Sequence, residues 1–150
     1  ATMLICEMTA YYHAKGMTLY DALEGLYEKY GFCLERNVEI YMEGLDGAAR
    51  MAALMDGLRN NPPSAFGGVT VTELRDYKTG VITDCATCAK SETGLPSSNV
   101  LYYKLANDDV IVARPSGTEP LIRVMAEGED MAQIEEITNR VANVIKERLS

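Results

Sequence analysis

The feature that most constrains the fold is a change of hydrophobic period in the last third of the chain. Three short apolar segments at residues 100–106, 110–113 and 121–126 are separated by turn residues, and they predict three strands. Asp130 is then predicted to cap a helix. Apolar residues recur in that helix every three or four positions, at Ile134, Ile137, Val141, Ile145 and Leu149. Strands followed by an amphipathic helix indicate an α+β fold.

The middle of the chain extends this pattern. A strand is predicted by alternating apolar side chains at Val38, Ile40 and Met42. Asp46 is then predicted to cap a helix that runs to about Arg59 and stops at the prolines of residues 60–63. A further strand is predicted by apolar side chains at Val69, Val71 and Leu74. Residues 85–98 have no clear period and are predicted to form an exposed loop. Residues 37–150 are therefore predicted to form an antiparallel sheet with helices on one face.

The first part of the chain has a purely helical pattern. Residues 2–15 are predicted to form a helix that stops at Gly16. Thr18 fits the N-cap of a second, amphipathic helix, which ends at Gly31. Residues 1–36 are therefore predicted to be two helices that belong to a different domain from the rest of the chain.

The charge of the chain limits the classes of ligand. It has 14 basic and 22 acidic residues, for a net charge of −8. Nucleic-acid binding needs many phosphates neutralised at once, and an anionic membrane surface attracts basic segments, so the charge argues against both partners. No apolar run approaches the roughly 20 residues needed to cross a bilayer. Any anion that binds is expected to be small and held by a local cluster of donors.

The cysteines and the single histidine give little indication of a metal site or of redox chemistry. Cys85 and Cys88 form a Cys-x-x-Cys pair, but a structural zinc site needs four ligands, and the chain has no second such pair. The pair is therefore interpreted as incidental thiols of a cytosolic protein. His13, the only histidine, is interpreted as a packing or surface residue. No metal ligand is predicted in this chain.

The segment 114–120, between two predicted strands, carries the chemistry of the chain. It offers a guanidinium, two hydroxyls and a glycine, at Arg114, Ser116, Thr118 and Gly117. A guanidinium fork suits the paired oxygens of a phosphate, and Gly117 is expected to adopt a positive φ that lets the backbone approach a ligand. Arg123 on the following strand adds a second positive charge.

The same residues are also ordinary turn residues, so a plain surface hairpin is the alternative. Two arginines that flank a loop rich in donors, within an acidic domain, favour a small-anion site. The residues by themselves do not say which anion it is.

Segment 114–120 resembles the signature loop of the last domain of the α-D-phosphohexomutase superfamily, which includes phosphoglucomutase and phosphomannomutase. Residues 19–24, 60–63 and 94–101 resemble the phosphoglucomutase branch, whereas residues 121–125 are closer to phosphoglucosamine mutase. The resemblance extends over nearly the whole chain.

The resemblance implies a four-domain enzyme that interconverts hexose 1-phosphate and hexose 6-phosphate through a bisphosphate. Such an enzyme is an isomerase and an intramolecular phosphotransferase. It uses a phosphoserine and Mg²⁺ in its other domains, and it is expected to be cytoplasmic. Residues 1–36 would be the helical tail of the third domain. Residues 37–150 would be the fourth, TATA-binding-protein-like domain, which binds the phosphate that is not transferred.

The resemblance also implies functions for individual residues. Those that match the phosphate contacts are Arg114, Ser116, Gly117 and Thr118, and Arg123 matches in position. The Asp-x-Asp-x-Asp metal motif and the Gly-Glu-Glu-Ser-Gly sugar motif are missing from the chain. The chain alone is therefore predicted to hold no cofactor and to be inactive, with a hexose phosphate and the remaining domains of the same enzyme as partners. A stand-alone phospholigand-binding module remains the alternative.

Overall fold

The structure is a computed structural model that describes residues 1–42 and 44–147. Leu149 of the predicted helical stripe lies outside these residues, and the side chain of Ile145 is not described. The elements, in chain order, are α1 (Thr2–His13), α2 (Leu19–Tyr30), β1 (Leu34–Tyr41), α3 (Gly47–Asn60), β2 (Ala65–Phe66), β3 (Val69–Asp76), β4 (Val81–Asp84), β5 (Lys90–Glu92), β6 (Leu101–Leu105), β7 (Val110–Pro115), β8 (Leu121–Gly128) and α4 (Met131–Glu147).

The chain forms two compact units, Ala1–Cys33 and a second unit that begins at Leu34. The first unit consists of α1 and α2. Thr18 caps α2 with a reciprocal pair of hydrogen bonds: its hydroxyl accepts from the N–H of Asp21 at 3.1 Å, and the Asp21 carboxylate accepts from the N–H of Thr18 at 2.7 Å. Gly31, with φ +95°, ends the helix. The assignment of residues 1–36 to a preceding domain stays a prediction.

The second unit is built around an antiparallel sheet with strand order β1-β8-β7-β6-β3-β4-β5, and β2 pairs with β3. Alternate residues of the central strands are buried, for example Leu101, Tyr103 and Leu105 in β6. They form one hydrophobic core with α3 and α4, through Leu54, Met55, Leu58, Ile134, Ile137 and Val141. Both helices therefore cover the same face of the sheet, and the α+β prediction is confirmed.

One local prediction is wrong, and one predicted strand is longer than its apolar pattern indicated. Residues 85–98 are not all loop, because β5 (Lys90–Glu92) pairs with β4. All three residues of β5 are exposed, so this edge strand has no hydrophobic period to detect. The strand predicted around Val38 begins earlier, at Leu34, because β1 pairs with β8 as far as Leu34 opposite Gly128.

Within the described ranges, no helix combines the length and apolar character needed to cross a bilayer.

Candidate anion-binding site

A row of three charged residues crosses the sheet on the face opposite the helices. Arg114 on β7 lies directly opposite Arg123 on β8, and Arg123 lies directly opposite Glu39 on β1. Ala113 and Val124, their neighbours along the strands, are buried in the core, so the arginines project to the other face. Two like charges directly opposite each other destabilise a strand pair, which makes the position between them favourable for an anion.

Of the two arginines, Arg123 has its side chain fixed by an ion pair. Its Nε donates to Oε1 of Glu39 at 2.9 Å, and the hydroxyl of Tyr41 donates to Oε2 of the same carboxylate at 3.2 Å. The hydrogen bond from Arg123, and then that from Tyr41, lower the pKa of Glu39. The same carboxylate raises the pKa of Tyr41. Glu39 therefore remains ionised beside Arg123 at neutral pH.

Arg114 is the open member of the pair. Its side chain is exposed, and it has no ion-pair or hydrogen-bond partner among residues 1–42 and 44–147. In a chain with a net charge of −8 this is an uncompensated local positive charge. Its guanidinium is available to an external anion.

The β7–β8 loop (residues 116–120) is held at both ends by backbone hydrogen bonds. The N–H of Ser116 donates to the carbonyl of Leu121 at 2.8 Å, and the N–H of Met42 donates to the carbonyl of Pro120 at 2.8 Å. Ser116 is buried, and its hydroxyl oxygen accepts from the N–H of Thr118 at 3.4 Å. The loop is therefore shaped before any ligand binds.

Gly117 does not adopt the positive φ expected from the sequence. A Cβ built at Gly117 meets nothing within 4 Å, so the residue faces open space. The glycine is not required by the backbone conformation of the loop. Its effect is to leave the surface of the loop uncovered by a side chain.

A groove of about 470 Å³ lies between this loop and the start of α3. It is lined by Gly44, Leu45, Ala48, Met51, Ser116, Gly117, Thr118, Glu119 and Pro120. Asp46 occupies the N-cap position of α3, but its side chain makes no capping hydrogen bond, so the cap predicted from the sequence does not form. Gly47 lies where the start of α3 approaches the β7–β8 loop. A Cβ at this position would overlap the carbonyl oxygen of Met42 and lie 3.2 Å from Cβ of Pro120.

The predicted site residues thus fall into two sets. Ser116, Gly117 and Thr118 line the groove. Arg114 and Arg123 lie together on adjacent strands but are not among the lining residues of the groove. The sequence did not indicate the contribution of Glu39 and Tyr41 to the site. Their only signal was their place as outward-facing residues of the β1 alternation, and their pairing with Arg123 depends on strand register.

The remaining candidate residues lie elsewhere. Cys85 and Cys88 are exposed residues at the β4–β5 turn, but partial burial of the Cys85 thiol, followed by the nearby charge of Asp84, raises its pKa, which disfavours the reactive thiolate. His13 lies in the last turn of α1. Among the described residues, no group of three or more His, Cys, Asp or Glu side chains could hold a metal ion.

Comparison with known proteins indicates the family that this chain resembles. Residues 71–144 match the family described as the phosphoglucomutase/phosphomannomutase C-terminal domain. A phosphoglucomutase of Staphylococcus aureus is 36% identical over 109 residues, which is 73% of this chain and 20% of that protein. A phosphoglucomutase of Staphylococcus saprophyticus is 30% identical over 125 residues, 83% of this chain and 22% of that protein. The chain spans about a fifth of the length of these relatives.

Among solved structures, the open form of pp63/parafusin, a phosphoglucomutase from Paramecium, matches with a TM-score of 0.38 at 14% identity. The match covers 88% of this chain and 22% of that structure. An AHSA1-like protein from Aeromonas hydrophila matches with a TM-score of 0.37 at 11% identity, over 78% of this chain and 96% of that structure. Both TM-scores lie below 0.5, so neither likeness supports an inference about function.

Proposed function

We propose that this chain binds the phosphate of a hexose phosphate within a longer phosphohexomutase, because residues 71–144 match the phosphoglucomutase/phosphomannomutase C-terminal domain family. The phosphate concerned is the one that is not transferred. The phosphoglucomutase or phosphomannomutase branch is the favoured parent, with phosphoglucosamine mutase as the alternative. The parent enzyme would interconvert hexose 1-phosphate and hexose 6-phosphate.

The observation that carries the proposal is the exposed Arg114, directly opposite Arg123 and adjacent to the β7–β8 loop. A guanidinium donates two parallel hydrogen bonds to a phosphate and remains charged at any physiological pH. The two like charges repel each other until an anion lies between them. Binding a phosphate therefore removes an unfavourable interaction and adds favourable ones.

The groove beside the loop supports an organic phosphate as the ligand. A volume of about 470 Å³ falls within the usual range for small-molecule sites and exceeds what one phosphate group needs. Its lining is polar at Ser116 and Thr118, acidic at Glu119, and apolar at Leu45 and Met51.

The proposed part in the reaction is positioning. Phosphoryl transfer depends mainly on alignment and on stabilisation of charge, so a fixed grip on one phosphate determines where the hydroxyl at the other end of the sugar lies. In this proposal the phosphoserine and Mg²⁺ belong to other domains of the longer enzyme, and residues of this chain make or break no bond. Arg114, Ser116, Gly117, Thr118 and Arg123 hold the phosphate.

The first unit supports the remaining domains of the same enzyme as partners. None of the residues of α1 and α2 is buried, and their exposed apolar side chains include Met3, Leu4, Ile5, Tyr11, Tyr20 and Leu26. Exposed apolar side chains in this number indicate an interface with other protein. A parent several times longer than this chain would provide it.

An NMR titration of the full 150-residue chain tests the proposal. Inorganic phosphate, glucose 1-phosphate and glucose 6-phosphate are each added, and backbone amide shifts are followed at the β7–β8 loop. We expect dissociation constants in the millimolar range, which correspond to a binding free energy of about 4 kcal/mol. Arg114→Ala should abolish the shifts.

The matched control is Arg140→Ala, which removes an equal charge from the exposed surface of α4. The control should titrate as wild type does. Binding that survives Arg114→Ala, or shifts that arise away from the loop, would contradict the proposed function.

A further inference from the structure

Tyr41, Glu39 and Arg123 form a chain of hydrogen bonds on the open face of the sheet that ends beside Arg114. We propose that Glu39 is a positioning residue of the anion site. It holds Arg123 by the Nε atom so that the terminal NH₂ groups of that guanidinium stay available, next to Arg114, for the phosphate. The inference rests on the proposed function and deepens it.

The geometry of the contact supports this role. Arg123 reaches Glu39 through Nε alone, whereas a carboxylate that merely neutralised the guanidinium would commonly take two parallel hydrogen bonds. Among the contacts of the described residues, the terminal nitrogens of Arg123 make none. The guanidinium is thus fixed from one edge and remains open at the other.

Glu39 is itself held in place. Arg123 occupies one of its carboxylate oxygens, and the hydroxyl of Tyr41 occupies the other. All three residues lie on adjacent strands whose register aligns Glu39 with Arg123. A carboxylate fixed by two donors orients its partner more strictly than a mobile one, and an oriented arginine loses less conformational freedom when a ligand binds.

Glu39 also reduces the charge repulsion between Arg114 and Arg123 in the free protein. Arg114 and Arg123 are Cα partners across β7 and β8, and their charges repel. The negative charge of Glu39 offsets one of them on the side away from Arg114. The site can therefore keep two guanidiniums close together before the phosphate arrives.

The test compares Glu39→Gln with Glu35→Gln in the full 150-residue chain, titrated with inorganic phosphate and followed by NMR. Both variants remove one negative charge from β1, but the described contact of Glu35 is with Asn37 rather than with an arginine. A loss of positioning should weaken phosphate binding about three- to tenfold in Glu39→Gln relative to Glu35→Gln. The Nε–H signal of Arg123 should move in the first variant only.

A double-variant cycle identifies the residue through which Glu39 acts. Arg123→Lys keeps the charge but has no Nε donor. If Glu39 acts through Arg123, adding Glu39→Gln to Arg123→Lys should cause no further weakening. Tyr41→Phe, which removes only the hydroxyl that supports Glu39, provides a milder second variant should Glu39→Gln fold poorly, and it should weaken binding about twofold.

The outcomes separate the inference from the proposed function. Binding in Glu39→Gln as tight as in Glu35→Gln, or tighter, would show that Glu39 only neutralises charge, and the inference would be overturned while Arg114→Ala still abolished binding. Binding that persisted in Arg114→Ala would overturn the proposed function first.

Discussion

The Nε of Arg59 lies 3.0 Å from Oδ2 of Asp76, and this ion pair joins α3 to the end of β3. Asp76 is buried, and it also accepts from the Lys78 N–H at 3.1 Å and the Thr79 hydroxyl at 2.8 Å. Arg59 donates in addition to Asn99 at 2.7 Å. Because α3 forms one wall of the groove, this cluster fixes that wall against the sheet.

Replacement of Asp76 by asparagine should destabilise the second unit by about 1–3 kcal/mol near neutral pH, because Arg59 and Thr79 then face a neutral side chain. Urea denaturation followed by circular dichroism measures the change. Asp56→Asn is the control, since Asp56 pairs with the same arginine at 2.9 Å but is exposed. The control should lose no more than about 0.5 kcal/mol.

The loss in Asp76→Asn should depend on pH. Burial alone would raise the pKa of Asp76, but hydrogen bonds from Thr79, Arg59 and Lys78 outweigh it, so the pKa lies below the ordinary value of 3.8. The unfolded chain therefore takes up the proton first as pH falls. The stabilising contribution is complete above the unfolded pKa and is lost as pH falls through the folded pKa. A wild-type-to-variant difference that stayed constant down to about pH 3 would contradict this.

Gly47 and Gly57 offer a matched pair of glycines within α3. Gly47→Ala should destabilise the protein by about 1–3 kcal/mol, because the new methyl group would overlap the carbonyl of Met42 and press on Pro120. Gly57→Ala meets nothing within 4 Å and should stabilise the helix by about 0.5–1 kcal/mol. Chemical denaturation of the two variants should give changes of opposite sign. Equal effects would show that the contact between α3 and the β7–β8 loop is not tight.

Substitutions at Gly117 should change phosphate affinity without changing the stability of the fold. A side chain there enters open space without backbone strain, so Gly117→Ala and Gly117→Val should change the stability by less than about 0.5 kcal/mol. Both should weaken phosphate binding, valine more than alanine, because the added atoms cover the loop where the ligand approaches. NMR titration with phosphate measures the series. Unchanged affinity in both variants would place the phosphate away from Gly117.

Arg114→Ala, introduced into the longer enzyme, should raise the Michaelis constant for the hexose phosphate and also lower turnover. The loss of one charged hydrogen-bonding group is worth about 1.5–3 kcal/mol, a ten- to hundredfold loss of kcat/KM. Steady-state kinetics measures both parameters, with Arg140→Ala as the control. Wild-type kinetics in Arg114→Ala would end the assignment of a phosphate-binding role to this residue.

Local signals in the sequence determined much of this protein. The amphipathic stripe of α4, the N-cap at Thr18 and the apolar strands from Leu101 to Ala126 were all predicted, because period and cap chemistry depend on neighbours a few residues apart. Sequence also singled out segment 114–120 as the one with the residues for an anion site. The edge strand β5 was missed because its residues are exposed and lack a period.

Only the tertiary structure decided how the site is assembled. Arg123 and Glu39 are separated by 84 positions in the chain, and the register of β1 on β8 brings them together. The tertiary structure also brings Gly47 close to Pro120, which shapes the groove. It further shows that Gly117 does not adopt a positive φ. Strand order and register are set by burial of a whole sheet face, a collective property that no local window of sequence contains. The sequence therefore identified the donors, and the fold determined which of them are free to bind.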